Sequence, residues 1–171
     1  FARHAKLDCL EKRGEKGYMF IIGDEAAYPV AKRDKIESII GDTVQADVKI
    51  KDIVAAARAK FEIFFLIPSG TSNYDDDSIR DFWVDLLGPE RVIKLADPTA
   101  VCETIATTVG LMEGAIDAGD ISRDLADVGA SATVVAAVTS GLGDLARSTA
   151  LARVGSGDLP IKSTPSATVR L

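Results

Sequence analysis

KGYMFIIGDE, residues 16–25, is the stretch on which the fold reading turns. Tyr18, Met19, Phe20, Ile21 and Ile22 are all apolar, and the run stops at Gly23-Asp24-Glu25, with Tyr28-Pro29 beyond. Successive side chains of a strand point to opposite faces, so an unbroken apolar run suits a strand that is covered on both sides. Parallel sheets are covered in this way by helices, and open α/β sheets bind ligands at the carboxyl ends of their strands. The stretch therefore predicts a buried parallel strand that carries Asp24 to the ligand-binding edge of a sheet.

Working outward, the element types alternate as they do when strands are joined by helical crossovers. A helix is expected over 32–40, with Ile36, Ile39 and Ile40 on one face and Gly41 as its stop. Val48, Ile50, Ile53, Val54, Ala57 and Phe61 recur near helical spacing and predict a second helix over 49–60. Residues 62–67, EIFFLI, read as a second buried strand that ends at Pro68-Ser69-Gly70. Ile79, Phe82, Trp83, Leu86 and Leu87 mark a helix that closes at Gly88. A third strand over 91–96 reaches Asp97-Pro98, where Asp97 suits an N-cap and Pro98 the first helical position. The helix that follows is expected to turn Val101, Ile105, Val109, Met112 and Ile116 inward.

The fold class is thus α/β, a Rossmann-like three-layer sandwich with a mostly parallel sheet. Three strands fall short of the ~5–6 usual for such a sheet. Residues 2–12 read as the end of a helix, so the N-terminal half of the domain is expected to be missing from this sequence. Beyond Gly119 a helical period continues through Ile121, Leu125, Val128, Ala132, Val135, Val138, Leu142 and Leu145 without a strand. It predicts a helical extension over 118–150, weakened at Gly129, Gly141 and Gly143. Residues 151–171 form a Gly/Ser/Pro-rich tail, expected to be extended unless a partner docks it.

Composition narrows the function classes. A net charge of −6 argues against non-specific nucleic-acid binding, which depends on clustered Lys and Arg. Two cysteines and one histidine do not make a disulfide framework or a Cys/His zinc site, so a reducing, cytoplasmic setting is expected. No apolar run approaches the ~20 residues of a membrane span.

The stretches 2–25 (ARHAKLDCLEKRGEKGYMFIIGDE), 64–72 (FFLIPSGTS) and 83–106 (WVDLLGPERVIKLADPTAVCETIA) resemble bacterial proteins that contain a von Willebrand factor A domain. That family has an α/β fold with a metal-ion-dependent adhesion site, and a central strand of it ends in an Asp-bearing turn, matched here by Gly23-Asp24-Glu25. The resemblance covers residues 1–117 and corresponds to the second half of the domain. It implies a non-enzymatic, intracellular protein-interaction module that holds Mg²⁺ or Mn²⁺. Asp24 would reach the metal through water, and an acidic residue of the protein partner would fill the open position. Such bacterial proteins often work as adaptors beside AAA+ ATPases. One departure weighs against a complete site: the DxSxS motif that opens the family's metal site does not occur before residue 24. Magnesium demands near-octahedral oxygen coordination, so Asp24 is one member of a site that this sequence leaves incomplete.

A local reading competes at Asp24, in which the carboxylate accepts backbone N–H bonds and shapes its turn. Glu25 is a possible rim residue or simply solvated. Ser69, Thr71 and Ser72 follow the carboxyl end of the second strand and are rim candidates for that reason. Asn73, Asp75 and Asp77 alternate as in an EF-hand loop, but Ser78 replaces the required Gly and Val84 the bidentate Glu, so the loop reads as solvated. His4 and Cys9 lie five apart and do not share a helix face. Trp83 reads as core, Gly155-Ser156-Gly157 lacks the remainder of a dinucleotide fingerprint, and no catalytic residue is assigned. Two alternatives from other classes are a small doubly wound enzyme or nucleotide-binding domain using Asp24 and the 69–77 loop, and a docking or oligomerisation element over 121–145.

Overall fold

The computed structural model describes residues 4–156. In chain order its elements are α1 (Asp8–Arg13), β1 (Gly17–Ile22), β2 (Val30–Ala31), α2 (Arg33–Lys35) continued by a π-turn (Ile36–Ile40), β3 (Val48–Lys49), α3 (Ile50–Arg58), β4 (Phe61–Pro68), α4 (Asp77–Leu87), β5 (Val92–Leu95), α5 (Val101–Met112), α6 (Ile121–Asp127), α7 (Ala132–Gly141) and α8 (Gly143–Ser156). Strands β1, β4 and β5 form a parallel sheet in the order β1-β4-β5, with Phe20 beside Phe64 and Leu66 beside Ile93. This is the mixed α/β, Rossmann-like arrangement expected. No helix among the described residues is long and apolar enough to cross a membrane.

Strand β4 organises the interior because it is buried on both faces. Phe64 and Leu66 join Ile93 and Leu95 in a core against α5–α8, while Phe61, Ile63, Phe65 and Ile67 meet Ala57 of α3 and Trp83 and Leu87 of α4. Both crossovers, through α3 and through α4, lie on the second face, and α5–α8 cover the first. β1 splits in the same way: Tyr18 and Phe20 pack toward α5–α8, and Met19 and Ile21 toward α3 and α4.

Several local expectations change. The helix over 32–40 is a single α-turn followed by a π-turn, and Ile39 and Ile40 are exposed at 79% and 56%. Val48 belongs to a small antiparallel pairing, Val30 with Lys49 and Ala31 with Val48, so the helix begins only at Ile50. Apolar period alone does not separate a short strand from the first turn of a helix. In α5 the most buried side chains are Thr104, Thr107, Thr108 and Leu111, whereas Val109 is only half-buried. Thr104 and Thr108 donate their hydroxyls to the carbonyls of Ala100 and Thr104, each at 2.7 Å. With its hydroxyl satisfied four residues back, a threonine packs much as a valine does.

The period over 121–145 is divided among three helices. Gly129 breaks it at φ 87°, a left-handed conformation that glycine adopts without steric cost. Gly141 lets α7 lie directly on β5: a Cβ there would sit 3.1 Å from both the Lys94 carbonyl oxygen and Ile93 Cγ2. Ile121, Leu125, Ala137, Val138, Leu142 and Leu145 share the core of Phe64 and Leu66. Residues 151–156, assigned to the tail by sequence, complete α8, and residues 157–171 lie outside the described residues.

At the amino end of the sheet Glu62 is held by Arg91 at 2.6 Å and by Lys16 at 3.3 Å, while the Arg91 guanidinium lies 5.2 Å from the Phe64 ring centroid. Burial pushes the Glu62 carboxyl up, but the bonds and charges of Arg91 and Lys16 outweigh it and hold the carboxyl below its ordinary range. A carboxyl depressed on folding stabilises the fold above its unfolded pKa, about 4.3, and that contribution is lost as pH falls through the lower folded value. Thermal melts at stepped pH are therefore expected to show a shallower acid limb for Glu62→Gln than for the wild type: the wild type melts higher above about pH 5, and the gap closes as pH falls below it. Leu66→Ala should cost about 3–5 kcal/mol in denaturant unfolding, since it empties a fully buried site between two helical layers.

Candidate functional site

The carboxyl ends of β1, β4 and β5 bring three loops to one edge: Gly23-Asp24-Glu25, residues 69–76, and Ala96-Asp97. Asp24 is half-buried there, and its Oδ2 accepts the backbone N–H of Asn73 at 3.0 Å. The loop after β1 is thus tied to the loop after β4. Glu25 is exposed, but its backbone carbonyl accepts the indole N–H of Trp83 at 2.9 Å. Trp83 is positioned by stacking on Phe65, with centroids 4.1 Å apart, and by an edge contact with Phe82.

The rim candidates divide. Ser69 donates its hydroxyl to the Ala96 carbonyl at 2.7 Å and its N–H to the Leu95 carbonyl at 2.8 Å, which ties the β4 loop to the β5 loop. Thr71 Oγ1 donates to the Pro68 carbonyl at 2.9 Å and closes its own turn. Ser72 is exposed. The structure therefore brings Asp24 to the 69–76 loop through Asn73, while Ser69 and Thr71 spend their protons on carbonyls.

The acidic residues nearby serve the helices. Asp76 accepts the N–H of Ser78 at 2.9 Å and caps α4, and Asp97 accepts the N–H and hydroxyl of Thr99 at 2.9 and 2.6 Å. The Ser78 and Thr99 hydroxyls first, and the two backbone N–H groups second, hold both carboxyls below their ordinary range. Lys94 places its ammonium 4.6 Å from the Tyr74 ring centroid and 4.0 Å from Asp77. His4 bonds Asp42 at 2.8 Å, and Cys9 and Cys102 are free thiols.

A divalent cation does not fit the described residues as they stand. Among them no group of three or more His, Cys, Asp or Glu side chains converges to hold a metal ion. Asp24 contributes one oxygen free of hydrogen bonds to the described residues, and the hydroxyl oxygens of Ser69 and Thr71 have lone pairs left to offer. Mg²⁺ needs about six oxygens at near-ideal angles, so the other ligands would have to come from elsewhere or from water.

Sequence reasoning placed Asp24 at this edge but missed Asn73 and Trp83 as its supports. Asn73 acts through its backbone N–H, which carries no residue signature, and the bond spans 49 positions in the chain. Trp83 gave half a signal, since a buried indole N–H requires an acceptor. Comparisons with family models, with curated proteins and with solved structures return no significant match to this chain.

The bond to Asn73 separates the bracing role of Asp24 from the role of its charge. Asp24→Asn keeps an oxygen acceptor, whereas Asp24→Ala leaves a part-buried N–H unsatisfied, which costs about 1–3 kcal/mol. Chemical denaturation should accordingly rank stability as wild type close to Asp24→Asn, with Asp24→Ala lower. Trp83→Phe should lose about 1 kcal/mol, the net worth of one hydrogen bond, by the same measurement.

Proposed function

We propose that this chain is a protein-interaction module of the von Willebrand A kind, without enzymatic activity, that binds its partner at the carboxyl edge of the parallel sheet around Asp24. The observation that carries the reading is the tie between Asp24 and Asn73, which holds a carboxylate at the ligand edge with one oxygen free of hydrogen bonds to the described residues. Open α/β sheets bind ligands at that edge, and the resemblance of residues 1–117 to such domains points the same way. Asp24 then supplies one outer oxygen to a Mg²⁺ or Mn²⁺ ion, and the remaining ligands come from polypeptide beyond the described residues and from an acidic side chain of the partner. The resemblance further suggests an adaptor that works beside an AAA+ ATPase in the cytoplasm.

Calorimetric titration with Mg²⁺ and Mn²⁺ tests the reading on the protein purified from its source. The expected outcome is measurable binding that Asp24→Asn weakens by about 10- to 100-fold, the usual cost of removing an outer-shell group. Trp83 is the one tryptophan and bonds the Glu25 carbonyl, so its emission should follow the same titration. Equal affinity in wild type and Asp24→Asn would sink the role given to Asp24.

A further inference from the structure

Between β1 and α3 the chain makes an excursion that holds β2, α2, the π-turn and β3, and a cleft of about 540 Å³ lies between this excursion and α3. Ile36 and Ile40 of the π-turn, Val44, and Val48 of β3 line it from the excursion, and Ile53 and Ala56 line it from α3. The five branched side chains among these belong to neither hydrophobic core. Two of them are open to water, Ile40 at 56% and Ile53 at 38%, so the cleft is not filled by the described residues. Valine and isoleucine are stiff at χ1, which gives the walls a fixed shape.

Eight of the twelve described residues on the walls are aliphatic, and none is Phe, Tyr or Trp or carries a hydroxyl or a side-chain amide. Small-molecule sites are clefts of ~300–1,000 Å³ with this make-up, apolar walls and a few polar groups that fix the ligand's orientation. The four polar residues here are His4, Asp42, Asp52 and Lys60. Three are engaged: His4 Nε2 and Asp42 Oδ2 lie 2.8 Å apart, and Lys60 donates to the Ala5 carbonyl at 3.1 Å. Asp52 is exposed in the first turn of α3 and makes no hydrogen bond or ion pair among the described residues. The charge left for a ligand is therefore negative.

We propose that this cleft binds a small aliphatic molecule that carries a positively charged amine, with its chain between the isoleucines and valines and its ammonium beside Asp52. A polar body would lose its water there and find no hydrogen-bonding side chain on the aliphatic walls to replace it, which is costly. An anionic head would meet Asp52 as a like charge, whereas an ammonium gains from it. The cleft shares no lining residue with the loops around Asp24, so the inference goes beyond the metal reading and a failed metal titration leaves it intact.

Titration of n-alkylamines into the full chain, read by the methyl NMR signals of Ile36, Ile40 and Ile53, tests it. n-Octylamine is expected to shift all three saturably, with affinity rising about fourfold per methylene from n-butylamine to n-octylamine, the equivalent of ~0.8 kcal/mol for each buried CH₂. n-Octanoate should bind about 10-fold more weakly, and Asp52→Asn should bring amine and carboxylate within about twofold of each other at the same salt concentration. Ala56→Leu enlarges an exposed wall residue and should abolish the shifts while the core methyl signals stay in place. Octanoate that binds wild type as tightly as octylamine, or octylamine affinity unchanged in Asp52→Asn, overturns the proposal. So does the absence of saturable shifts at the three isoleucines, or their persistence in Ala56→Leu. Shifts at these methyls that grow with protein concentration in the absence of amine also overturn it, because a second copy is then the occupant.

Discussion

Burial of β4 on both faces is the constraint on which the rest of the molecule depends. A strand that turns Phe61, Ile63, Phe65 and Ile67 one way and Phe64 and Leu66 the other cannot leave either face to water, so two helical layers are required. The crossovers through α3 and α4 supply one layer as the chain passes from β1 to β4 and on to β5. The other layer needs more chain than α5 contains, and α6–α8 complete it. These later helices take part in the same core as Phe64 and Leu66, and Gly141 lets α7 approach β5 closely enough to do so.

The two ends of the sheet have opposite electrostatic designs. At the amino end, Glu62 is neutralised by Arg91 and Lys16, so a charged group sits among apolar residues with partners at hand. At the carboxyl end, Asp76 and Asp97 are committed to helix starts, and among the described residues Asp24 is committed through one of its oxygens. The end that stabilises is internally paired, while the end where α/β sheets bind ligands retains a carboxylate oxygen with bonding capacity. The links from Asp24 to Asn73, from Glu25 to Trp83 and from Ser69 to Ala96 tie the three loops of that end together. A ligand arriving there meets loops already tied in place and does not have to bear the full entropic cost of ordering them.

The sequence by itself determined the three parallel strands, the helices α3, α4 and α5, the cap at Asp97 and the placing of Asp24 at the carboxyl edge. Each of these rests on a local signal: an unbroken apolar run, a helical period, or a capping residue beside proline. Tertiary structure decided the rest. Ile39 and Ile40 follow a helical period yet are exposed where the helix passes into a π-turn, and a π-turn has no distinct pattern of residues. Thr104 and Thr108 are buried more deeply than Val101, Ile105 and Met112, which the helical period marked, because their hydroxyls are satisfied by carbonyls four residues back. The brace on Asp24 comes from a backbone N–H 49 residues away, and no side-chain identity announces it. The order β1-β4-β5, which puts the second strand of the sequence in the middle of the sheet, is settled by packing in three dimensions, not by any one strand's sequence.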